Sequence, residues 1–112
     1  MNWLNIVAYA VYTTSSFEKE IAKLSDFDKK IIEDIYKQLA VNPYVGDQLR
    51  YRFFREKRIR EKRVYYLVYD DLSAVLIVAF GGKKGQPETI DKIIEHLPEF
   101  KIYLENLLKQ ES

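Results

Sequence analysis

Between Arg50 and Arg63 the chain reads RYRFFREKRIREKR, in which Arg50, Arg52, Arg55, Lys57, Arg58, Arg60, Lys62 and Arg63 are opposed only by Glu56 and Glu61. Aromatic rings at Tyr51, Phe53 and Phe54 are interleaved with those cations. Guanidinium forks hold phosphate oxygens and flat rings hold unstacked bases, so the pattern suits a surface that grips a polyanion, a nucleic acid in particular. Alternating charge on a strand also serves as a solvated edge that discourages sheet-to-sheet aggregation. A second cationic feature is Gly81-Gly82-Lys83-Lys84-Gly85, whose amides and ammonium groups could cradle an anion. It lacks the Gly-Lys-Ser/Thr ending and any Mg²⁺ ligand of a nucleotide-hydrolysing loop. What remains is a tight loop after a strand, or a basic lip beside the cationic strand.

Other candidates for chemistry are few. His96, the only histidine, stands among acidic and apolar residues of a helical stretch, a setting for a surface or half-buried side chain rather than a base or ligand. Asp26, Asp28, Glu33 and Asp34 read as solvated helix faces, and no His/Cys/carboxylate cluster has metal spacing. The 112 residues include no cysteine, which removes disulfides and thiolate sites and suits a reducing cytoplasm. Net charge is only +1, so the cations are segregated rather than in excess, and one face can still steer an anion. The longest apolar runs, Ile6 to Val11 and Ala74 to Phe80, are too short to cross a bilayer. The opening MNWLNIVAYAVY lacks the pattern of a secretory signal. Abundant Lys, Glu, Ile and Tyr lean toward a heat-adapted source.

The elements that must position these groups follow from periodicity. Ile6 to Tyr12 alternates and is β-branched and aromatic, which predicts a strand. Ser15 with Glu18 forms a capping-box signature, opening a helix with Phe17, Ile21 and Leu24 on one face. Ser25 with Asp28 opens a longer amphipathic helix through Phe27, Ile31, Ile32, Ile35, Tyr36 and Leu39, which Asn42-Pro43 ends. Three strands are predicted next: Phe53 to Lys62, Val64 to Asp70, and Ser73 to Phe80, with a turn at Asp70-Asp71. Period two places Arg58, Arg60 and Lys62 on one face of the first of these, and Lys57 and Arg63 on the other. The run SAVLIVAF is apolar nearly throughout, as in an interior strand covered on both faces. Pro87 suits the first turn of a final helical stretch that breaks at Pro98. Its apolar residues either pack on the sheet or accept a partner helix or strand. The chain has the order β-α-α-β-β-β-α, one α+β domain over residues 1–112 with helices against one face of a small sheet.

Taken together, the strand ending in YTTSSFEKEIAKL, the helical hairpin closing on LAVNPYVGDQL, the R-x-R of Arg58 and Arg60, the YYLVY strand and the last strand ending in glycine and basic residues resemble the RelE/ParE toxin superfamily. The lysine-rich loop and long final helix are most similar to archaeal members. The resemblance implies a RelE-like α+β fold: a small, mostly antiparallel sheet, a helical hairpin on one face and a C-terminal helix. RelE-type members are toxins of type II toxin–antitoxin systems, cytoplasmic endoribonucleases that cut mRNA in the ribosomal A site. They use the substrate's 2′-hydroxyl as nucleophile and neither metal nor cofactor. Something must take the hydroxyl proton, something must protonate the leaving 5′-oxygen, and cations must stabilise the charge on phosphorus.

Carried across residue by residue, the basic pair falls on Arg58 and Arg60, and the arginine of the family's Y-R-L-V-Y strand on Tyr66, or on Tyr65 if the gap is placed differently. The arginine after the last strand falls on Lys83 or Lys84, and the C-terminal tyrosine has no counterpart near Thr89 and Ile90. The resemblance thus implies a catalytic set of Arg58, Arg60, Tyr66, Lys83 and Lys84. RNA contacts are expected from Arg55, Lys57, Lys62, Arg63 and Tyr65, and the implied partners are an antitoxin, the ribosome and mRNA. ParE-type relatives keep the scaffold without the nuclease residues and poison gyrase. The alternative is therefore a non-nucleolytic binding protein, either a gyrase-type toxin or a degenerate one whose main partner is the antitoxin.

Overall fold

Two adjacent apolar runs set the architecture of the computed structural model, which describes residues 8–111. Val64 to Val68 and Ala74 to Val78 are buried without interruption, as expected of strands covered on both faces rather than on one. They lie in β4 (Lys62–Tyr69) and β5 (Ala74–Gly82), joined through a 3₁₀ turn at Asp70–Leu72 and Ser73, whose φ of 48° is left-handed. Around them stand β1 (Ala10–Thr13), β2 (Asp47–Gln48) and β3 (Phe54–Ile59) in the order β1-β5-β4-β3-β2. β1 runs parallel to β5 and every other pair is antiparallel.

The expected first strand is seen from Ala10 onward. Its residues Ile6 and Val7 lie outside the described part, and it extends one residue further, to Thr13. α1 (Ser15–Ile21) is capped by Thr14 rather than by Ser15: the Thr14 hydroxyl accepts from the Phe17 amide at 3.2 Å. Thr14 is already fixed by donating its own amide to Ile77 O of β5, so the chain turns into the helix at that residue and delivers Phe17 to the core. α2 (Asp26–Val41) starts as expected, with Ser25 Oγ accepting from the Asp28 amide at 3.2 Å. It stops at Asn42, extended before Pro43, whose side chain then accepts from the Tyr44 amide of a 3₁₀ turn.

Strand alternation sorts the core into two layers. Ile59, Val64, Tyr66, Val68, Val75 and Ile77 meet Phe17, Ile32, Ile35 and Leu39 of the helical hairpin. Phe54, Tyr65, Leu67, Leu76 and Val78 meet Ile93 and Leu104 on the opposite side. Those two residues belong to α3 (Gln86–Glu95) and α4 (Leu97–Glu111), into which the single expected C-terminal helix divides. The division falls at His96, just ahead of Pro98. Helices therefore cover both faces of the sheet, not one. The final helices pack on the sheet through Leu104, Leu97, Phe100 and Tyr103, and Ile102 is left exposed. Full burial of a side chain such as Leu104 contributes about 1.5–3 kcal/mol.

The largest departure from expectation concerns the basic strand. β3 ends at Ile59 and β4 begins at Lys62, so Arg60 and Glu61 form a two-residue hairpin turn within what reads as one strand. Such turns demand a left-handed residue. Arg60 supplies it at φ 55°, a conformation costing a non-glycine residue about 1–2 kcal/mol. The facing rule expected of a continuous strand consequently fails. Arg58 stands directly opposite Arg63 and shares its face, Lys62 lies opposite Ile59, and Lys57 pairs with Val64 on the side of the helical hairpin. The two-residue β2 has no periodic signal in the sequence.

Candidate anion-binding groove

The hairpin turn brings the two cationic segments of the chain together. Lys62 is in register with Gly82 and Arg63 with Gly81, so the loop that follows β5 emerges beside the β3–β4 tip. Between them lies an open groove of about 600 Å³ lined by Arg58, Arg60, Glu61, Lys62, Arg63, Gly82, Lys83 and Lys84. Six cations face one carboxylate. Among the described residues the side chains of Arg58, Lys62, Lys83 and Lys84 make no hydrogen bond or ion pair. Like charges gathered without counter-ions attract a polyanion and give binding that weakens with salt. Gly85, left-handed at φ 86°, turns the chain from this loop into α3, with Pro87 in the first turn.

Arg63 is held differently from its neighbours. Its side chain is only 8% exposed, and its Nε lies 3.4 Å from the equally buried Glu56 carboxylate, which accepts from Gln86 Nε2 at 2.8 Å. Glu56 stands opposite Tyr65, so the pair sits beneath the groove on the α3 side of the sheet. A buried ion pair of this kind fixes the guanidinium in place, and removing one partner strands the other charge in the interior. The Glu56 and Gln86 contacts carry no sequence signal, since a Glu inside a basic run reads as a surface charge.

Arg60 straddles the tip. Its guanidinium lies 3.4 Å from Asp28 and 5.0 Å from the centre of the Phe27 ring, both at the start of α2. Asp28 is thus half-buried and paired, not a solvated helix residue.

Four expected site residues are not brought to the groove. Tyr66 is fully buried on the helical-hairpin side. Its hydroxyl donates to Pro43 O at 2.7 Å and accepts from the Gly46 amide at 3.1 Å, and burial pushes its pKa up to about 12. Tyr66 is a bolt for the 43–46 turn. Tyr65 is fully buried as well, its hydroxyl without a hydrogen-bond partner and its pKa raised chiefly by burial. Arg55 donates from Nη1 to Gly46 O at 2.8 Å and from Nε to Arg52 O at 3.0 Å, so its fork is consumed by the backbone. Lys57 faces the helical hairpin side and does not line the groove. His96 closes α3, with Nδ1 2.8 Å from Lys92 O.

The other cations of the basic run are tied down at the far end of β3. Arg50 pairs with Asp91 of α3. Arg52 lies 3.6 Å from Asp70 and 4.0 Å above the Tyr44 ring, and Asp70 accepts hydrogen bonds from Tyr44 and Tyr9, each at 2.6 Å.

No protein-family model matches the sequence, and no curated protein matches it. Solved structures do. A double mutant of the E. coli toxin RelE in the free state superposes with a TM-score of 0.64 at 17% identity, covering 77% of this chain and 98% of that one. The RelBE2 toxin–antitoxin complex of Mycobacterium tuberculosis gives 0.59 at 23% identity, over 70% and 94% of the two chains. An archaeal RelE–RelB complex from Pyrococcus horikoshii gives 0.59 at 16%, over 68% and 96%. The chain has the fold of the RelE toxins.

Proposed function

We propose that the protein is the toxin of a toxin–antitoxin pair and that its groove holds the backbone of ribosome-bound mRNA for cleavage in the cytoplasm. The observation that carries this reading is the set of unpaired cations at one end of the sheet, on a fold shared with toxins solved bound to RelB antitoxins. In the proposed reaction the substrate's 2′-oxygen attacks phosphorus and the bond to the 5′-oxygen breaks, leaving a 2′,3′-cyclic phosphate and a 5′-hydroxyl. Arg58, Arg60 and the buried Arg63 would stabilise the added negative charge with forked donors, and Lys83 or Lys84 would protonate the leaving oxygen. Glu61, the one carboxylate lining the groove, would take the proton from the 2′-hydroxyl. Lys62 would contact a flanking phosphate.

A second reading is favoured by the burial of Tyr66, which leaves no tyrosine lining the groove. On that reading the protein binds without cutting and its target is another macromolecule, such as gyrase, or the antitoxin alone. Mapping of A-site mRNA cuts in a translating extract separates the two. The nuclease reading requires cuts that disappear when Arg58→Ala and Arg60→Ala are combined. Translation arrest unchanged by that pair, or no cuts at all, would overturn it.

A further inference from the structure

The hairpin tip has a second concave side. Opposite the cationic groove, and sharing Arg60, Glu61 and Lys62 with it, lies a hollow of about 420 Å³ walled by Leu24, Ile59, Phe80 and Asp28. Unlike the groove, it has apolar side chains in its wall. Leu24, Ile59 and Phe80 make it partly apolar, and Phe80 is held edge-on against the buried Phe17 ring, with centroids 6.4 Å apart and planes at 77°. Beside them the wall holds Asp28 together with the shared Arg60, Glu61 and Lys62. Asp28 Oδ1 is buried and has no hydrogen-bond partner, its one charged neighbour being Arg60 at 3.4 Å, beyond good hydrogen-bond distance. At the rim stands Phe27, the most exposed large apolar side chain of the described residues at 64%.

A partly apolar slot with a buried, unpartnered acceptor, an aromatic ring beside the tip and a cationic groove next door matches one class of ligand, a nucleotide with its base and phosphate on the two sides of the tip. We propose that this hollow is a nucleobase subsite and that Asp28 selects bases carrying an exocyclic amino group. An ionised carboxylate only accepts hydrogen bonds, so it favours an amino edge and repels a carbonyl edge. Phe27 and the Arg60 guanidinium offer flat faces for stacking at the entrance. Arg60 then has two tasks: its left-handed backbone sets the tip between the two sites, and its guanidinium links Asp28 to the groove. The inference rests on the RNA reading above and adds base selection to it.

Cytosine and uracil provide the matched probe, since they differ at one position of the ring edge, amino against carbonyl. Short oligonucleotides blocked against cleavage by 2′-O-methyl groups, differing only in a central cytosine or uracil, would be titrated onto the intact protein at low salt. The expected result is about tenfold tighter binding of the cytosine strand. Asp28→Asn should bring the two strands to near parity, because an amide serves either edge, while both bind more tightly overall with a negative charge removed. That opposite movement of selectivity and affinity is not what a merely weakened fold would give. Leu24→Trp, which fills the hollow and leaves the groove intact, should abolish discrimination and retain salt-sensitive binding. Salt-sensitive binding by the wild type without preference between the strands would overturn the subsite alone, and so would a preference that survives both substitutions. Failure of either strand to bind at low salt would overturn the RNA reading and the subsite with it. A hollow that instead receives an apolar side chain of a protein partner would show the base-blind result.

Discussion

At one end of β3, Arg50, Arg52 and Arg55 are spent on Asp91, Asp70, the Tyr44 ring and backbone carbonyls. At the other end, Arg58 and Lys62 find no partner and meet Lys83 and Lys84 across an open groove. The two ends of this basic run lie a few residues apart in the sequence and are both rich in Arg. What separates them is the company the fold supplies. Acidic and carbonyl acceptors surround the first set and make it a clamp on the 42–55 loop, whereas the second set is left to repel itself until an anion arrives. Positive charge in a sequence therefore marks a candidate, and its unpaired state in the fold makes that candidate a stronger one.

The sharpest way to break this contrast is to discharge the groove. Replacing Arg58, Lys83 and Lys84 together by alanine should weaken binding of a short single-stranded RNA about 100-fold and flatten its log–log salt dependence by roughly two. Denaturant midpoints should hold, since these side chains make no hydrogen bond or ion pair. Measurement is by titration at several salt concentrations. Next in size is Gly46→Ala. An added Cβ would lie 2.5 Å from both Glu56 O and Tyr66 Oη, so backbone must shift and stability should fall by about 1–3 kcal/mol in urea. RNA affinity should stay put if the loop end has no part in binding. Tyr66→Phe should cost about 1–2 kcal/mol by leaving Pro43 O and the Gly46 amide unpaired, again without effect on RNA.

The Asp70 clamp predicts a pH signature. Hydrogen bonds from Tyr44 and then Tyr9 hold the Asp70 carboxyl below its usual range. A depressed folded-state pKa gives stability that is present above the unfolded value, about 4, and lost as pH falls through the folded one. The Tyr9 phenol is pushed up to about 12, first by its bond to Asp70, so its contribution is full below about pH 10 and lost as pH rises toward 12. Urea midpoints across pH should fall at both extremes, and Asp70→Asn should flatten the acid limb. The smallest effect is expected from Arg52→Ala, about 0.5–1 kcal/mol at most, because its ion pair is exposed and its stacking on Tyr44 is shared with Arg55. An RNA affinity reduced by Arg52→Ala as much as by the groove variant would erase the contrast.

Much of this was legible in the sequence. The helix start at Ser25, the stop at Asn42-Pro43 and the doubly covered β5 are local events, written in capping residues and apolar runs. The meeting of Arg58 and Arg60 with Lys83 and Lys84 was legible through the family resemblance. What was not legible depends on tertiary partners. No glycine or asparagine announces the hairpin turn at Arg60, which the sheet imposes on a basic residue. Tyr66 reads the same whether it faces solvent or the 43–46 turn, and only the register of β4 decides. Asp28 reads as solvated until the hairpin tip folds over it.

The parallel pairing of Ala10 with Ala74 has a consequence for how the molecule comes into being. β1 has no neighbour until β5 exists, while β3, β4 and β5 zip together through short connections. Hairpins of low sequence separation close early and distant parallel pairs late. During synthesis the opening third of the chain must therefore wait, unpaired at its sheet edge, for a strand near the far end. A ribosome product cut short before residue 74 would possess the two amino-terminal helices yet neither β5 nor the lysines of the loop that follows it, and so would lack the groove.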